Sequence, residues 1–345
     1  MNLVVRADAS SAIGSGHVMR CHALAQGWRD SVNGDVTFVS AGLADWFLRR
    51  LGDDGISVIS LDADPGGAED AEFTLATAER LGASWIVADG YAFGDAYQRA
   101  IKAGPARLLF VDDYGHCTAY PADVVLNQNL HANDDMYRPH ASGRLLLGPR
   151  YVLLRREFRG TGWPPQKTAE IGTRVLVTMG GGDPEDVTAK VVNSLSDVRV
   201  DGLEAVVAVG PSNPHDAALR TKMEALPLRA TLESGVENMV PLMQWADLAI
   251  CAGGSTCWEL AYMGIPSVVL ALAENQRPIA KALAEAGAAE YLGWHSHLGP
   301  DTISKAVGRL ASCPDRRAAL SRRSRELVDG SGVDRVIEAL LKREG

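Results

Sequence analysis

Residues 174–183 read RVLVTMGGGD, and residues 3–17 read LVVRADASSAIGSGH. Each is a short apolar run that breaks into glycine-rich chain, and each is followed by residues with helical spacing. After the run at 3–17, Val18, Cys21, Leu24, Ala25 and Trp28 share one face of a helix expected over 17–29. After the run at 174–183, a helix fits 184–195, with Pro184 at the permitted first turn. The strand, glycine loop and helix opening therefore occurs twice in one chain.

Both openings lead into chain of the same character. Strands are expected at 36–40, 55–61, 85–88, 108–112 and 124–126, with a helix at 70–81. The second series predicts strands at 205–209, 230–232, 248–251 and 267–272. Apolar strands alternating with helices argue for parallel sheets covered on both faces, an α/β class of two Rossmann-like domains. Residues 160–167 carry two prolines and two glycines and read as a linker. The expected domains are 1–159 and 168–314. A helical stretch at 315–345, broken near 329–332, packs across other structure because its apolar residues are sparse before the break.

Composition excludes several function classes. With 46% hydrophobic and 22% charged residues among 345, the chain is globular rather than disordered. A net charge of −9 is the wrong balance for coating nucleic acid, although it leaves room for one local phosphate site. No segment reaches the ~18–20 apolar residues of a membrane span. Residues 1–6 read as a buried strand rather than a signal peptide, so a cytoplasmic location is expected. The five cysteines, Cys21, Cys117, Cys251, Cys257 and Cys313, are scattered and read as buried free thiols of a reducing compartment.

Three glycine loops carry the chemistry. Gly14, Ser15 and Gly16 lead into His17, where glycine permits close backbone approach and the helix start offers amides to an anion. His17 reads either as a capping or packing residue, or as a general base near neutral pH. Gly180, Gly181 and Gly182 would bring helix amides toward a diphosphate, while Asp183 either caps that helix or meets ligand. Gly253, Gly254, Ser255 and Thr256 add two hydroxyls suited to phosphate; Glu259 beyond them either accepts ribose hydroxyls or is merely solvated. Asp89, Gly90 and Tyr91, the pair Asp112 and Asp113, and the amides of Asn127, Gln128 and Asn129 fall at expected strand ends, where sheet ligands approach. Arg6 and Asp8 flank the end of the first strand and either pair structurally or orient substrate. No His/Asp/Glu set has convincing metal spacing, so neither metal nor cofactor is expected.

Taken together, Arg6-Ala7-Asp8-Ala9-Ser10, Ile13-Gly14-Ser15-Gly16-His17, Arg20-Cys21 and Gly253-Gly254-Ser255-Thr256 resemble the UDP-2,4-diacetamido-2,4,6-trideoxy-β-L-altropyranose hydrolase family of pseudaminic acid biosynthesis. The likeness continues through Asp89-Gly90-Tyr91, Asp112-Asp113, Asn127-Gln128-Asn129, Gly148-Pro149-Arg150-Tyr151 and Leu154-Arg155-Arg156-Glu157-Phe158. It extends to Asn275-Gln276 and residues 329–336, and so spans nearly the whole chain.

That resemblance implies a GT-B-like arrangement of the two domains, similar to glycosyltransferases such as the enzyme that adds N-acetylglucosamine to the lipid-linked peptidoglycan precursor. It implies that the C-terminal half holds UDP through Gly181, Gly182, Asn238, Met239, Ser255, Thr256 and Glu259. It implies a sugar side formed by Gly14, Gly16, Tyr91, Asn127, Asn129 and Asn275, with His17 as the catalytic base. Water would attack the anomeric carbon with inversion, and UDP would leave without a dedicated acid. This differs from the two-carboxylate glycosidases. Asp8 is the candidate to orient the attack. The partners expected are the UDP-sugar, water and transient contacts with enzymes of the same pathway. Two alternatives stand beside this reading: a glycosyltransferase on the same fold, and a nucleotide-sugar binding protein without turnover.

Overall fold

The computed structural model describes residues 1–9, 14–160, 168–211 and 213–342. Ser10 and Ile13 of the first motif, and residues 161–167 of the expected linker, lie outside the described residues. The chain forms two compact units: Met1–Arg159 together with Gly330–Gly345, and Gly160–Asp329.

The first unit runs β1 (Asn2–Ala7), α1 (Gly16–Val32), β2 (Val36–Ser40), α2 (Asp45–Asp53), β3 (Ser57–Ser60) and α3 (Ala68–Arg80). It continues with β4 (Ala83–Asp89), α4 (Asp95–Ile101), β5 (Arg107–Val111), β6 (Val124–Asn127) and β7 (Arg144–Leu147). All seven strands are parallel, in the order β3-β2-β1-β4-β5-β6-β7. Strands buried on both faces explain the unbroken apolar runs: Leu3, Val4 and Val5 are all buried, and so are Ile86, Val87 and Ala88. One face packs its Leu3, Val5, Trp85 and Val87 side chains with Val18, Leu24 and Trp28 of α1. The other packs Val4, Ile86 and Phe110 with Ala71 and Ala78 of α3 and Tyr97 of α4.

The second unit opens with β8 (Arg174–Thr178), α5 (Val187–Leu195), β9 (Glu204–Val209), α6 (Asp216–Glu224) and β10 (Arg229–Ser234). Then come α7 (Val240–Trp245), β11 (Leu248–Ala252), α8 (Thr256–Met263), β12 (Ser267–Ala271), α9 (Gln276–Glu285) and β13 (Glu290–Trp294). The helices α10 (Pro300–Ser312) and α11 (Pro314–Leu327) close it. Its six strands are parallel, in the order β10-β9-β8-β11-β12-β13. Both sheets therefore reverse strand order beside their opening strand, between β1 and β4 and between β8 and β11. Ligands of open α/β sheets gather beyond the carboxyl ends of strands at such a reversal.

Residues 315–345 are divided between the units. The helix α11 stays with the second, and α12 (Gly332–Leu341) belongs to the first. On α12, Val333, Val336, Ile337 and Leu340 are buried, each contributing about 1.5–3 kcal/mol of apolar burial. Two glycines permit this packing. A Cβ on Gly27 would lie 2.2 Å from Val333 Cγ1, and one on Gly332 would lie 2.1 Å from the Val152 carbonyl oxygen.

Three expectations are corrected. The helix expected from 184 begins only at Val187, because Asp183 and Asp186 take left-handed backbone at φ 48° and 51°. Cys313 is exposed at the corner between α10 and α11, whereas the other four cysteines are buried free thiols. Strands β7 and β13 extend the two sheets by edge strands outside the expected set, although β7 carries the short apolar run Leu145 to Leu147. Among the described residues, no helix is long and apolar enough to cross a membrane.

Candidate active site

In the first unit the carboxyl ends of β1, β4, β5 and β6 meet the start of α1. Gly14 has φ +73° and Gly16 is the first residue of α1, so His17 enters on the opening turn. His17 is 6% exposed, and its Nδ1 lies 2.6 Å from Oδ1 of Asp89, the last residue of β4. The edge of the Tyr91 ring stands against the imidazole, with centroids 4.7 Å apart.

Arg20, one turn after His17 and on the same helix face, locks this pair. Its Nε donates to Asp89 Oδ2 at 2.6 Å and its Nη2 to Asp89 Oδ1 at 2.7 Å. The same guanidinium donates to Asp113 at 2.6 and 3.1 Å. Tyr91 donates its hydroxyl to Asp113 at 2.9 Å, and Asn129 donates its amide there at 2.8 Å. His17, Arg20, Asp89, Asp113, Tyr91 and Asn129 thus form one buried polar network.

Its charges reinforce each other. Burial alone would raise the Asp89 carboxyl, but the Arg20 charge and the hydrogen bonds from Arg20 and His17 hold it below the usual range. Asp113 is held low in the same way, against burial, chiefly by Arg20. Burial would lower Arg20, and Asp113 and Asp89 reverse this, keeping its guanidinium firmly charged. Cys21, with its thiol 3.3 Å from Asp89 Oδ2, is pushed up by burial and by that carboxylate, so it stays a neutral thiol.

The tautomer of His17 follows from the contacts. Nδ1 also lies 3.2 Å from Arg20 Nη2, and a ring nitrogen cannot accept from arginine while donating to a carboxylate. The 2.6 Å carboxylate contact is the shorter and charge-assisted one, so Nδ1 carries the proton and donates to Asp89. Arg20 Nη2 already has two carboxylate acceptors. The Nε2 lone pair is then left to receive a proton from an attacking group, which is the base and orienter pairing of acid–base catalysis.

Asp8 does not take the orienting position. Its Oδ1 accepts from Arg6 Nη1 at 2.6 Å, Ser40 Oγ at 2.9 Å and the Ala41 amide at 2.7 Å. Arg6 in turn is fully buried and bidentate to Asp70, with both contacts at 2.9 Å. The Arg6 and Asp8 pair therefore braces the chain, and the carboxylate on His17 is Asp89. Asn127 is also spent internally: its Nδ2 donates to the Tyr137 hydroxyl and its Oδ1 accepts from the Asn129 amide. It is fully buried and shapes the loop that carries Asn129.

Behind this network sits a second one centred on Asp112. Its carboxylate accepts from the Tyr120 and Tyr137 hydroxyls at 2.8 and 3.0 Å and lies 2.8 Å from His116 Nδ1. Burial would lower His116, but the hydrogen bond and charge of Asp112 push it up to about 10. His116 is thus an imidazolium at neutral pH.

In the second unit the glycine loops flank the β8/β11 reversal. Gly181 and Gly182 follow β8, and the Gly181 carbonyl lies so close to Gly210, after β9, that a Cβ there would stand 2.1 Å away. The Asp183 carboxylate accepts from the amides of Val187 at 2.9 Å and Thr188 at 2.7 Å. The capping alternative for Asp183 is the one realised, so these first amides of α5 are occupied. Ser255 and Thr256 follow β11 at the start of α8, which has no side-chain cap. Glu259 stands in its first turn, a favourable place for a carboxylate in the helix dipole. Asn275 is the residue before α9, whose Gln276 packs against Gly253. Asn238 Oδ1 accepts from the Val240 amide, and Met239 precedes α7. The phosphate-suited backbone of this unit is therefore the 253–256 loop and its helix more than the start of α5.

The sequence places Asp89 and Asp113 at ligand-facing strand ends and Arg20 in the motif series, but does not join them to His17 as one set. The signals that would have joined them are the His17 to Arg20 helical spacing and the β1/β4 reversal that sets both aspartates beside the start of α1.

Comparison with known proteins agrees with this architecture. Residues 174–336 match the model of the glycosyltransferase family 28 C-terminal domain. The spore coat polysaccharide biosynthesis protein SpsG of Bacillus subtilis (strain 168) is 31% identical over 237 residues, covering 68% of each chain. The UDP-N-acetylglucosamine--N-acetylmuramyl-(pentapeptide) pyrophosphoryl-undecaprenol N-acetylglucosamine transferase of Methylococcus capsulatus is 28% identical over 183 residues. That match spans 52% of this chain and about half, 51%, of the transferase. Among solved structures, MurG of Acinetobacter baumannii superposes with a TM-score of 0.71 over 99% of both chains, at 18% identity, a likeness of fold. Two Rossmann-like units on parallel sheets, with these matches, give the GT-B fold, and the chain belongs to the family of the spore coat polysaccharide biosynthesis protein SpsG.

Proposed function

We propose that this protein is a nucleotide-sugar enzyme of polysaccharide biosynthesis that hydrolyses a UDP-linked sugar. UDP-2,4-diacetamido-2,4,6-trideoxy-β-L-altropyranose is the substrate favoured by the motif series. The observation that carries the reading is the His17 and Asp89 pair, fixed by Arg20 at the carboxyl edge of the first sheet. Neutral His17 takes a proton from water through Nε2 as the water oxygen bonds to the anomeric carbon. The anomeric C–O bond breaks with its electron pair going to the diphosphate, UDP departs, and attack from the opposite face inverts the centre. Asp89 stabilises the imidazolium that forms, as a buried carboxylate on the far ring nitrogen does in hydrolytic triads. Backbone amides of the Gly253 to Thr256 loop, and the Gly181 and Gly182 backbone, offset the charge developing on phosphate. Glu259 accepts the ribose hydroxyls.

A second reading is favoured by the match to the glycosyltransferase family 28 C-terminal domain. An acceptor hydroxyl would occupy the place of water, and His17 would deprotonate it in the same way. The test is a product assay: the UDP-sugar is incubated alone and with candidate acceptors, and UDP and free sugar are quantified. Release of free sugar and UDP in equal amounts without an acceptor supports hydrolysis, whereas UDP release that requires an acceptor replaces it with transfer. His17→Ala should lower turnover about 10²–10⁴-fold while leaving UDP affinity nearly unchanged. UDP binding without turnover by the wild type would leave a binding protein instead.

A further inference from the structure

The geometry points to a second ligand site in the first unit, a pocket for a phosphate-bearing small molecule at the amino-terminal edge of the sheet. This edge lies opposite the carboxyl edge that carries His17. The cavity has a volume of about 270 Å³ and lies where β4, β5, β6 and β7 begin, next to the end of α12. Trp85, Arg107, Val124 and Arg144 line it. Trp85 pairs in register with Arg107, and Val124 with Arg144, so the lining repeats across neighbouring strands.

Four cations, Lys102, Arg107, Arg144 and Lys342, face one carboxylate, Asp123, in a chain whose net charge is −9. That carboxylate is already committed, to Lys102 Nζ at 2.6 and 2.7 Å and to the Leu108 amide at 2.7 Å. Lys342 pairs with Glu338, but both are more than half exposed, so the pair is weak. Among the described residues, neither arginine has a carboxylate within ion-pair distance. Arg107 stacks over the Trp85 ring at 4.2 Å and donates to the Leu340 carbonyl at 2.7 Å. The exposed Arg144 guanidinium makes no hydrogen bond or ion pair among the described residues, although Glu338 feels its charge.

The indole Nε1 of Trp85 is a fully buried donor with no hydrogen-bond partner among the described residues. A buried unpaired donor costs about 1–3 kcal/mol, and here it lies in the wall of the cavity, covered by the Arg107 guanidinium. Donors from two arginines and two lysines, against one committed acceptor in the lining, select an oxygen-rich anion. The guanidinium fork matches phosphate geometry in particular. The volume lies just below the range of small-molecule pockets, about 300–1,000 Å³, which suits a molecule no larger than a hexose phosphate.

The test is calorimetric titration of glucose 6-phosphate into the full chain with UDP present, so that phosphate entering the nucleotide loops is suppressed. Glucose serves as the uncharged control. Saturable binding of the phosphate ester but not of glucose is expected, with Arg144→Ala weakening it about tenfold or more. Arg144 is exposed, so this variant should keep its fold; Arg107→Lys, which retains the charge but loses the fork, gives a second reading. Binding should also change the tryptophan fluorescence of the wild type, and not that of Trp85→Phe. No binding at millimolar ligand, or equal affinity in wild type and Arg144→Ala, would overturn the proposal.

Discussion

Replacing Asp89 by asparagine tests the base assignment more sharply than removing His17. The substitution keeps the shape of the side chain but removes its charge and turns one oxygen into an NH₂ group. In the wild type both carboxylate oxygens accept: Oδ1 from His17 and Arg20, at 2.6 and 2.7 Å, and Oδ2 from Arg20 at 2.6 Å. Asparagine has a single acceptor for these donors. If its oxygen takes the Oδ2 place on Arg20 Nε, its NH₂ faces His17 Nδ1, which must then accept, so the ring proton moves to Nε2 and the base is lost; that NH₂ also opposes Arg20 Nη2. If its oxygen faces His17, its NH₂ opposes the Arg20 Nε–H, and two donors meet in a buried site. The catalytic cost is the general-base contribution, about 10²–10⁴ in turnover. The structural cost of breaking a buried charge pair is about 3–5 kcal/mol. The lower end applies, because Asp113 still holds Arg20 at 2.6 and 3.1 Å. For a domain of this size that is a fall of roughly 6–12 °C in melting temperature. The measurements are UDP release at saturating substrate, UDP affinity by calorimetry, and thermal melting. Turnover within about threefold of wild type, in a protein that still binds UDP and folds, would refute the assignment of Asp89 as the group that sets the His17 tautomer.

The same contacts carry three further predictions. Glu259→Ala should weaken UDP binding about tenfold, the worth of a charge-assisted hydrogen bond to ribose, and affect turnover at saturation much less; equal UDP affinity in variant and wild type would sink the ribose role. Asp183→Ala leaves the Val187 and Thr188 amides without their acceptor, so chemical denaturation should show a loss of about 1–2 kcal/mol. His116, raised to about 10 from an ordinary value near 6.5, contributes stability that is fully present below the ordinary value and lost as pH rises through the raised one. Wild type should therefore lose its advantage over His116→Gln, on the order of 1–2 kcal/mol for a largely buried pair, between neutral and strongly alkaline pH. An advantage that stays constant over that window would contradict a charged His116.

The fold was legible because its strands are buried on both faces, so runs such as Leu3 to Val5 and Val175 to Val177 stand out as unbroken apolar segments ahead of glycine. The edge strand β13 gave no such signal, since Glu290 and Gly293 interrupt its apolar residues and all five of its residues are only partly covered. The late start of α5 was hidden for a different reason. Pro184 fits a first helical turn by its own dihedral preference, but Asp183 reaches forward to cap the chain at Val187, and that carboxylate contact is made only when the loop is folded.

The candidate site shows most plainly what strand order adds. Asp8 lies close to His17 in sequence, and Asp89 is far from it, so proximity along the chain selects the wrong carboxylate. In the sheet, β1 lies between β2 and β4, with Ala7 in register with Asp89. The helix α1 leaves the end of β1, and the contacts of His17 and Arg20 run to the ends of β4 and β5. Asp8 is held on the other side of β1, by Ser40 and Ala41 at the end of β2. The reversal of strand order beside β1 thus separates two carboxylates that the sequence places on an equal footing. One becomes a brace for the β1 and β2 ends. The other, buried and pinned by Arg20, becomes the partner of the histidine. Moving an aspartate to the end of β2 should therefore not rescue Asp89→Asn, whereas Asp89→Glu, which keeps a carboxylate at the end of β4, should recover part of the lost turnover.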